Sequence, residues 1–369
     1  MQRYGENNLY PQYLAAITRA SGTAELCLNR YSKFIEGYGF DDDTLANYPI
    51  NRHGDTSDDI LKLVANDLAR YGGFALHVNY NVLAEIVDVN HVPFEQCRLE
   101  EGDDVGNVQH IVIHPDWSGK KTRNGKRISV DERNIERINV FNPDKRIVLQ
   151  QIENAGGIDS YNGQILWVSK DGRTVYPTPI YDAAITEIST DEGLGNIKYR
   201  NVRNNFLVSC MLISKKGIPR IDSDTGESIE QQMITDEDLV QFQGDENTSK
   251  ILAIELENDE DEPKVVAFPT KNYDKEFSVT DTSVIERIYA QFHQELFYAI
   301  RIGKLGFSGQ VMQDAYEYYA GEVTNEQRMI ERAFRKILNV WYDVKLRNIP
   351  TTIQPLKYVN ADNSINNSI

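Results

Sequence analysis

Two long helical patterns separated by a strongly acidic stretch constrain this chain most. Ile180, Ala184, Ile188, Ile197 and Val202 recur with helical spacing up to about Asn205. Val284, Ile285, Ile288, Tyr289, Phe292, Leu296 and Ile300 form a second stripe over about 280–302. Residues 206–270 between them hold 15 acids and 5 bases, a net −10 that is more than half of the chain's formal −17. This window reads as an insertion, with strands expected over 206–214, 251–256 and 264–268 and an acidic helix or loop over 235–242. Apolar stripes on both helices exceed what one thin subunit can bury, so side-by-side association in a closed ring is a reasonable outcome. Gly193 and Gly195 should weaken the first helix or permit close packing and bending, each at roughly 1 kcal/mol relative to Ala.

The regions before and after this pair carry a different alternation. Leu14, Ile17, Leu26, Leu28, Tyr31, Phe34 and Ile35 predict one helix after Tyr10-Pro11, stopped by Gly37 and Gly39. A second helix is expected over 57–71, with Thr56 as its N-cap and Asp59 three residues on. From Phe74 the pattern turns to short β-rich runs over 74–80, 82–89, 110–114, 139–141 and 165–169, the composition of a mostly antiparallel region. One hairpin tip is basic: Lys120, Lys121, Arg123, Lys126 and Arg127 surround an Asn124-Gly125 turn. It reads as a solvated loop or as a contact for an acidic partner surface. After a glycine-rich break at 303–309, a helical stretch begins near Gln310. Thr324 and Gln327 have capping-box spacing, and an apolar period runs from Met329 to about Lys345. Residues 360–369 read as a polar tail. The fold class is α+β, and 369 residues suggest two or three domains.

Charge and motif content exclude more than they assign. A net −17 with a pI near 4.9 argues against a protein that grips phosphates, though not against loose contact with DNA. No run of about 18 apolar residues occurs, and the first ten residues lack a signal peptide's basic start and apolar stretch. Cys27, Cys97 and Cys210 are odd in number and far apart, so buried inert thiols in a reducing compartment are expected. No phosphate-binding glycine loop is found, and Gly193-Leu194-Gly195 lacks the third glycine of a dinucleotide fingerprint. In Gly306-Phe307-Ser308-Gly309-Gln310, Gln310 stands where the second glycine of G-x-S-x-G must be. His110 and His114 sit four apart on a predicted strand, too distant for one small metal site. Asp259, Glu260, Asp261 and Glu262 form a contiguous run before Pro263 that reads as an exposed turn, with Mg²⁺-dependent phosphodiester chemistry as the alternative. No cofactor, catalytic residue or metal site is expected, and the chain reads as non-enzymatic.

The order of these segments resembles that of tailed-bacteriophage portal proteins, the head-tail connectors through which DNA is packaged, of the type in phages and prophages of gut bacteria. Asn8-Leu9-Tyr10-Pro11, Ser21, Cys27 and Phe34-Ile35-Glu36-Gly37-Tyr38-Gly39-Phe40 are similar to the opening of such proteins. So are Tyr176-Pro177 leading to Asn204-Asn205-Phe206, and the stretch from Phe292 through 306–310 to Ala315-Tyr316-Glu317-Tyr318-Tyr319. The likeness spans residues 5–345. It implies a wing over 1–177, stem helices over 178–205 and 271–302, a clip over 206–270, a tunnel loop over 303–309 and a long C-terminal wing helix over 310–350. Residues 351–369 would be a tail or rudimentary crown. The tunnel loop would comprise Gly303, Lys304, Leu305, Gly306, Phe307, Ser308 and Gly309, with Lys304 able to touch phosphate. Asp236, Glu237, Asp238, Asp259, Glu260, Asp261 and Glu262 would form the clip's docking surface. Implied partners are further copies in a ring of twelve, the terminase large subunit, a head-tail adaptor, major capsid and scaffolding proteins, and double-stranded DNA held non-specifically, with no membrane. The implied location is the virion's portal vertex, with host cytoplasm during assembly. The Pro-Pro pair that many portals carry ahead of the loop is missing, Ile302-Gly303-Lys304 standing there instead. Twelve copies would carry a formal charge of about −200, which repels a duplex within a Debye length of about 8 Å. For a conduit, weak affinity is the requirement.

Overall fold

A computed structural model describes residues 1–120, 122–123, 126–127, 129–171, 175–204, 210–213, 220–221, 228–229, 264–267 and 273–359. It divides into two compact units, Met1–Ser189 with Ile285–Ile369, and Thr190–Val284.

The first unit begins with α1 (Tyr10–Ala20) and α2 (Gly22–Glu36), two helices where the periodicity predicts one. Ser21 divides them. Its extended backbone ends α1, and its hydroxyl accepts the Ala24 N–H at 3.0 Å as the N-cap of α2. The short α3 (Asp43–Ala46) precedes α4 (Ser57–Tyr71), whose capping box has Thr56 and Asp59 each accepting the other's backbone N–H. Ile60, Leu61, Val64, Ala65 and Leu68 of α4 are all buried, against α2 on one side and the sheet on the other.

The sheet is built from β1 (Gly73–Tyr80), β2 (Ile86–Val92), β3 (Cys97–Leu99), β4 (His110–Ile113), β7 (Glu136–Val140) and β8 (Gln164–Ser169). Their order is β2-β1-β8-β7-β4-β3, antiparallel throughout except between β7 and β8. That parallel pair needs a crossover, supplied by α5 (Lys145–Asn154). The run expected over 82–89 is shifted: residues 81–85 make the turn, in which Asn81 accepts from Leu83 and Glu85 N–H, and β2 starts at Ile86. β5 (Thr122–Arg123) and β6 (Lys126–Arg127) pair as the hairpin expected around Asn124-Gly125. At the β3 edge the buried Arg98 pins the N-terminal segment. It donates to Asn8 Oδ1, Asn8 O and Gln12 Oε1 at 2.7, 2.7 and 3.1 Å, and burial lowers its pKa to about 10.

A 3₁₀ turn (Asp182–Ala184) precedes α6 (Ile185–Asn204), so the first long helix starts later than its apolar period. Among the described residues, Gly193 and Gly195 meet nothing within 4 Å where a side chain would stand. The second long pattern is corrected further. It folds as α7 (Tyr273–Gln291) and α8 (Glu295–Arg301), with His293 at φ 55 between them. The expected long C-terminal helix is likewise two, α9 (Gly309–Glu322) and α10 (Thr324–Leu338). Thr324 does not cap α10. Its hydroxyl bonds back to Ala320 O, while Gln327 donates to Phe34 O and Ile35 O at the end of α2. The period past Leu338 is not helical either: Trp341 bridges Ile86, and a 3₁₀ turn follows at Val344–Leu346.

Residues 351–358 are no tail. Tyr38 and Asp41 N–H donate to Gln354 O and Thr352 O, Gln354 N–H returns to Gly39 O, and Ile353 bridges Phe40. Gly37 is required there: at φ +64 a Cβ would stand 2.2 Å from Gln354 O.

In the second unit β9 (Cys210–Ile213) pairs antiparallel with β12 (Lys264–Ala267), and β10 (Arg220–Ile221) with β11 (Ser228–Ile229). The two strands expected at 206–214 and 264–268 are therefore present and paired. Lys198 of α6 and Asp281 of α7 form an ion pair at 2.9 Å. The segments over 235–242 and 251–256, and the tail over 360–369, lie outside the described residues.

Candidate functional site

The glycine break is the connection between α8 and α9. Gly303 takes φ +74, a conformation costly to residues with a Cβ, and its N–H donates to Ile300 O at 3.1 Å. Leu305 N–H returns to Ala299 O at 3.2 Å. Ser308 closes the turn: its hydroxyl accepts Val311 N–H at 3.3 Å as the N-cap of α9. Gly303, Lys304, Leu305, Gly306, Phe307 and Ser308 thus share one exposed loop, and Gly309 belongs to the first turn of α9. Phe307, 81% exposed, is its most prominent apolar group. Lys304 has no hydrogen-bond or ion-pair partner among the described residues, and a Cβ at Gly306 would meet nothing within 4 Å.

The frame that holds this loop was not visible as a motif. Gln294, fully buried at the break between α7 and α8, donates to Cys27 O and Tyr319 Oη at 2.8 Å each. It accepts from Arg30 Nη1 at 2.9 Å. Tyr319 in turn donates to Phe292 O at 3.0 Å, and burial pushes its hydroxyl pKa well up. One amide thereby ties α2, the helix break and α9 together. Around it Phe297 packs against Phe34, Tyr316 and Tyr319 with ring centroids 5.6–6.0 Å apart, and the Arg30 guanidinium lies 4.5 Å over its ring. Arg301, the last residue of α8, donates to Tyr289 Oη at 2.9 Å. An exposed glycine string is therefore mounted on a packed aromatic base.

Chemically the loop offers one cation, an exposed aromatic ring and backbone amides, and the Ser308 hydroxyl is engaged in capping. Among the described residues no group of three or more His, Cys, Asp or Glu could hold a metal ion. His110 and His114 serve separate purposes: His110 Nδ1 lies 2.5 Å from Glu100, while the buried His114 accepts from Asp116 N–H and faces Ser129 O. Cys27 and Cys97 are buried, and burial raises the Cys97 thiol pKa strongly. Lys120 is exposed, and Arg123, Lys126 and Arg127 lie on the paired strands β5 and β6. Lys121, Asp236, Glu237, Asp238, Asp259, Glu260, Asp261 and Glu262 lie outside the described residues. No helix among the described residues is long and apolar enough to cross a membrane.

No family model and no curated protein matches the sequence. Solved structures do. A chain from the virion of a native gene transfer agent (GTA) particle is similar at TM-score 0.53 and 11% identity, over 94% of this chain and 84% of that one. A chain from the neck of the native particle, computed with C12 symmetry, is similar at TM-score 0.53 and 11% identity, over 92% and 86%. The class is thereby defined: an α+β chain with the fold of these particle chains along nearly its whole length. At these identities the likeness is one of fold. An HK97 family phage portal protein from Corynebacterium diphtheriae is also similar, at 9% identity over 96% of both chains, with a TM-score of 0.40.

Proposed function

We propose that this chain is a phage portal protein, one subunit of a ring at a single capsid vertex through which double-stranded DNA is packaged and ejected. The observation that carries this reading is the shared fold over 92–96% of the chain with particle-neck chains whose assemblies were computed with twelvefold and sixfold symmetry. In it, residues 1–177 and 310–350 supply the wing, 178–205 and 271–302 the stem, and 206–270 the clip that docks the terminase large subunit and later the head-tail adaptor. The loop over 303–309 is the tunnel loop, and the basic hairpin with Lys120, Arg123 and Lys126 faces an acidic partner.

The electrostatics agree with passage rather than capture. DNA presents one phosphate per about 1.7 Å of axis, and a wall of subunits each carrying −17 gives it no low-energy resting place. The exposed Lys304 and Phe307 touch the duplex transiently, on a loop whose glycines let it follow a ligand of different symmetry from the ring. The subunit is structural and uses no cofactor.

Negative-stain microscopy of the purified protein tests this. Closed rings with a central channel are expected. Only monomers or dimers under every assembly condition would overturn it, as would Mg²⁺-dependent DNA cleavage lost in Asp259→Ala.

A further inference from the structure

A cleft of about 300 Å³ opens where the C-terminal segment crosses the end of α2 and the flank of α9, away from the loop described above. Its walls carry Lys33, Tyr38, Tyr316, Lys357, Tyr358 and Val359, and no acid lines it. In a chain with 56 acids and 39 bases, a cleft with two lysines and no carboxylate is an outlier. Its base is fixed: Tyr316 packs on Phe34 at 5.0 Å and edge-on to Tyr358 at 5.6 Å, and Tyr38 donates to Lys357 O at 2.9 Å. Lys33 and Lys357 are exposed, with no ion-pair partner among the described residues.

The backbone adds a second recognition element. Pairing between 38–41 and 352–354 stops at Pro355, which has no N–H to continue it. Beyond it the N–H groups of Lys357, Tyr358 and Val359 donate to nothing among the described residues. Amides with no acceptor among the described residues, beside a tyrosine-lined, positively charged cleft, match an extended peptide, whose carbonyls accept from them while alternate side chains enter the cleft.

We propose that this cleft binds an acidic peptide segment of a partner protein. Carboxylates of the segment meet Lys33 and Lys357, and an apolar or aromatic side chain between them packs on Tyr316 and Tyr358. Nucleic acid fits less well, since two lysines would face a phosphate at every nucleotide, whereas the carboxylates of a peptide can be spaced to meet them. The proposal stands independently of ring formation.

The test is fluorescence anisotropy on the full chain. The probes are a labelled, capped peptide of alternating glutamate and phenylalanine, the same peptide with lysine for glutamate, and a ten-residue oligothymidylate. Saturable binding of the glutamate peptide is expected, weakened about tenfold in Lys33→Gln/Lys357→Gln and by raised salt. The reversal Lys33→Glu/Lys357→Glu should transfer preference to the lysine peptide. The absence of saturable binding up to about millimolar peptide overturns the proposal. So does affinity unchanged in both variants, or tighter binding of the oligothymidylate at the same lysines.

Discussion

The Gln294 amide gives the sharpest quantitative handle on how the exposed loop is held. Gln294→Ala removes three hydrogen bonds, two buried neutral ones to Cys27 O and Tyr319 Oη and a part-buried one from the charged Arg30. Neutral bonds contribute about 1 kcal/mol each and one to a charged group about 1.5–3, but Tyr319 keeps its bond to Phe292 O and Arg30 keeps its stacking on Phe297. A net loss of about 3 kcal/mol follows. For a unit of this size that lowers Tm by about 6–12 °C, read by calorimetry or circular dichroism. The loss should also be local: amide exchange of residues 295–308 should accelerate more than that of α4. Because Tyr319 shares the network, Gln294→Ala and Tyr319→Phe should combine less than additively. Gln310→Ala, at an exposed site, is the control. A Tm change under 2 °C, or acceleration spread evenly over the unit, would refute the idea that this residue anchors the helix break.

Three further outcomes follow from the geometry. Gln327→Ala should cost about 1–2 kcal/mol in denaturant unfolding by freeing Phe34 O and Ile35 O, while Thr324→Ala should stay within about 0.5. Equal costs would restore the capping-box reading. Gly303→Ala should lose about 1 kcal/mol because φ is +74, whereas Gly306→Ala leaves stability and ring assembly intact and impairs DNA packaging or retention. Normally filled virions from Gly306→Ala would remove the loop's assigned role. Burial raises the Asp182 pKa, so its contribution favours folding below the unfolded carboxylate value near 3.9 and fades as pH rises through the higher folded value. Asp182→Asn, which still accepts from Tyr10, should therefore gain stability relative to the native chain between pH 4 and 7. Parallel pH profiles would contradict it.

What the sequence made legible follows from where its signals are local. The Thr56–Asp59 box and the Gly72 stop are complete within one stretch of chain, and α4 forms over the expected residues. The break between α7 and α8 is not local: Phe292, Leu296 and Ile300 keep a helical period, and the interruption depends on partners from α2 and α9 that meet Gln294 only in three dimensions. Gln327 illustrates the same limit, since its spacing from Thr324 fits a cap but a distant helix end takes its amide. The split at Ser21 was readable in Ser21-Gly22, yet a continuous apolar stripe masked it. α5 escaped because Val148 is its one buried residue, with Ile147 and Leu149 exposed. For the candidate site, glycine spacing marked a connection between two helices, while the clustered acids carry their information in charge rather than pattern.

The strap formed by 351–358 over Gly37–Asp41 bears on the order of events during synthesis. These partners are separated by more than 300 residues, so loop closure between them comes late and slowly, after the strands of the sheet can already have paired. A nascent chain that has made every helix of the first unit still lacks the segment that covers the end of α2. Until residues 351–358 are made that edge stays open, and a product truncated before them exposes it to pairing with other chains.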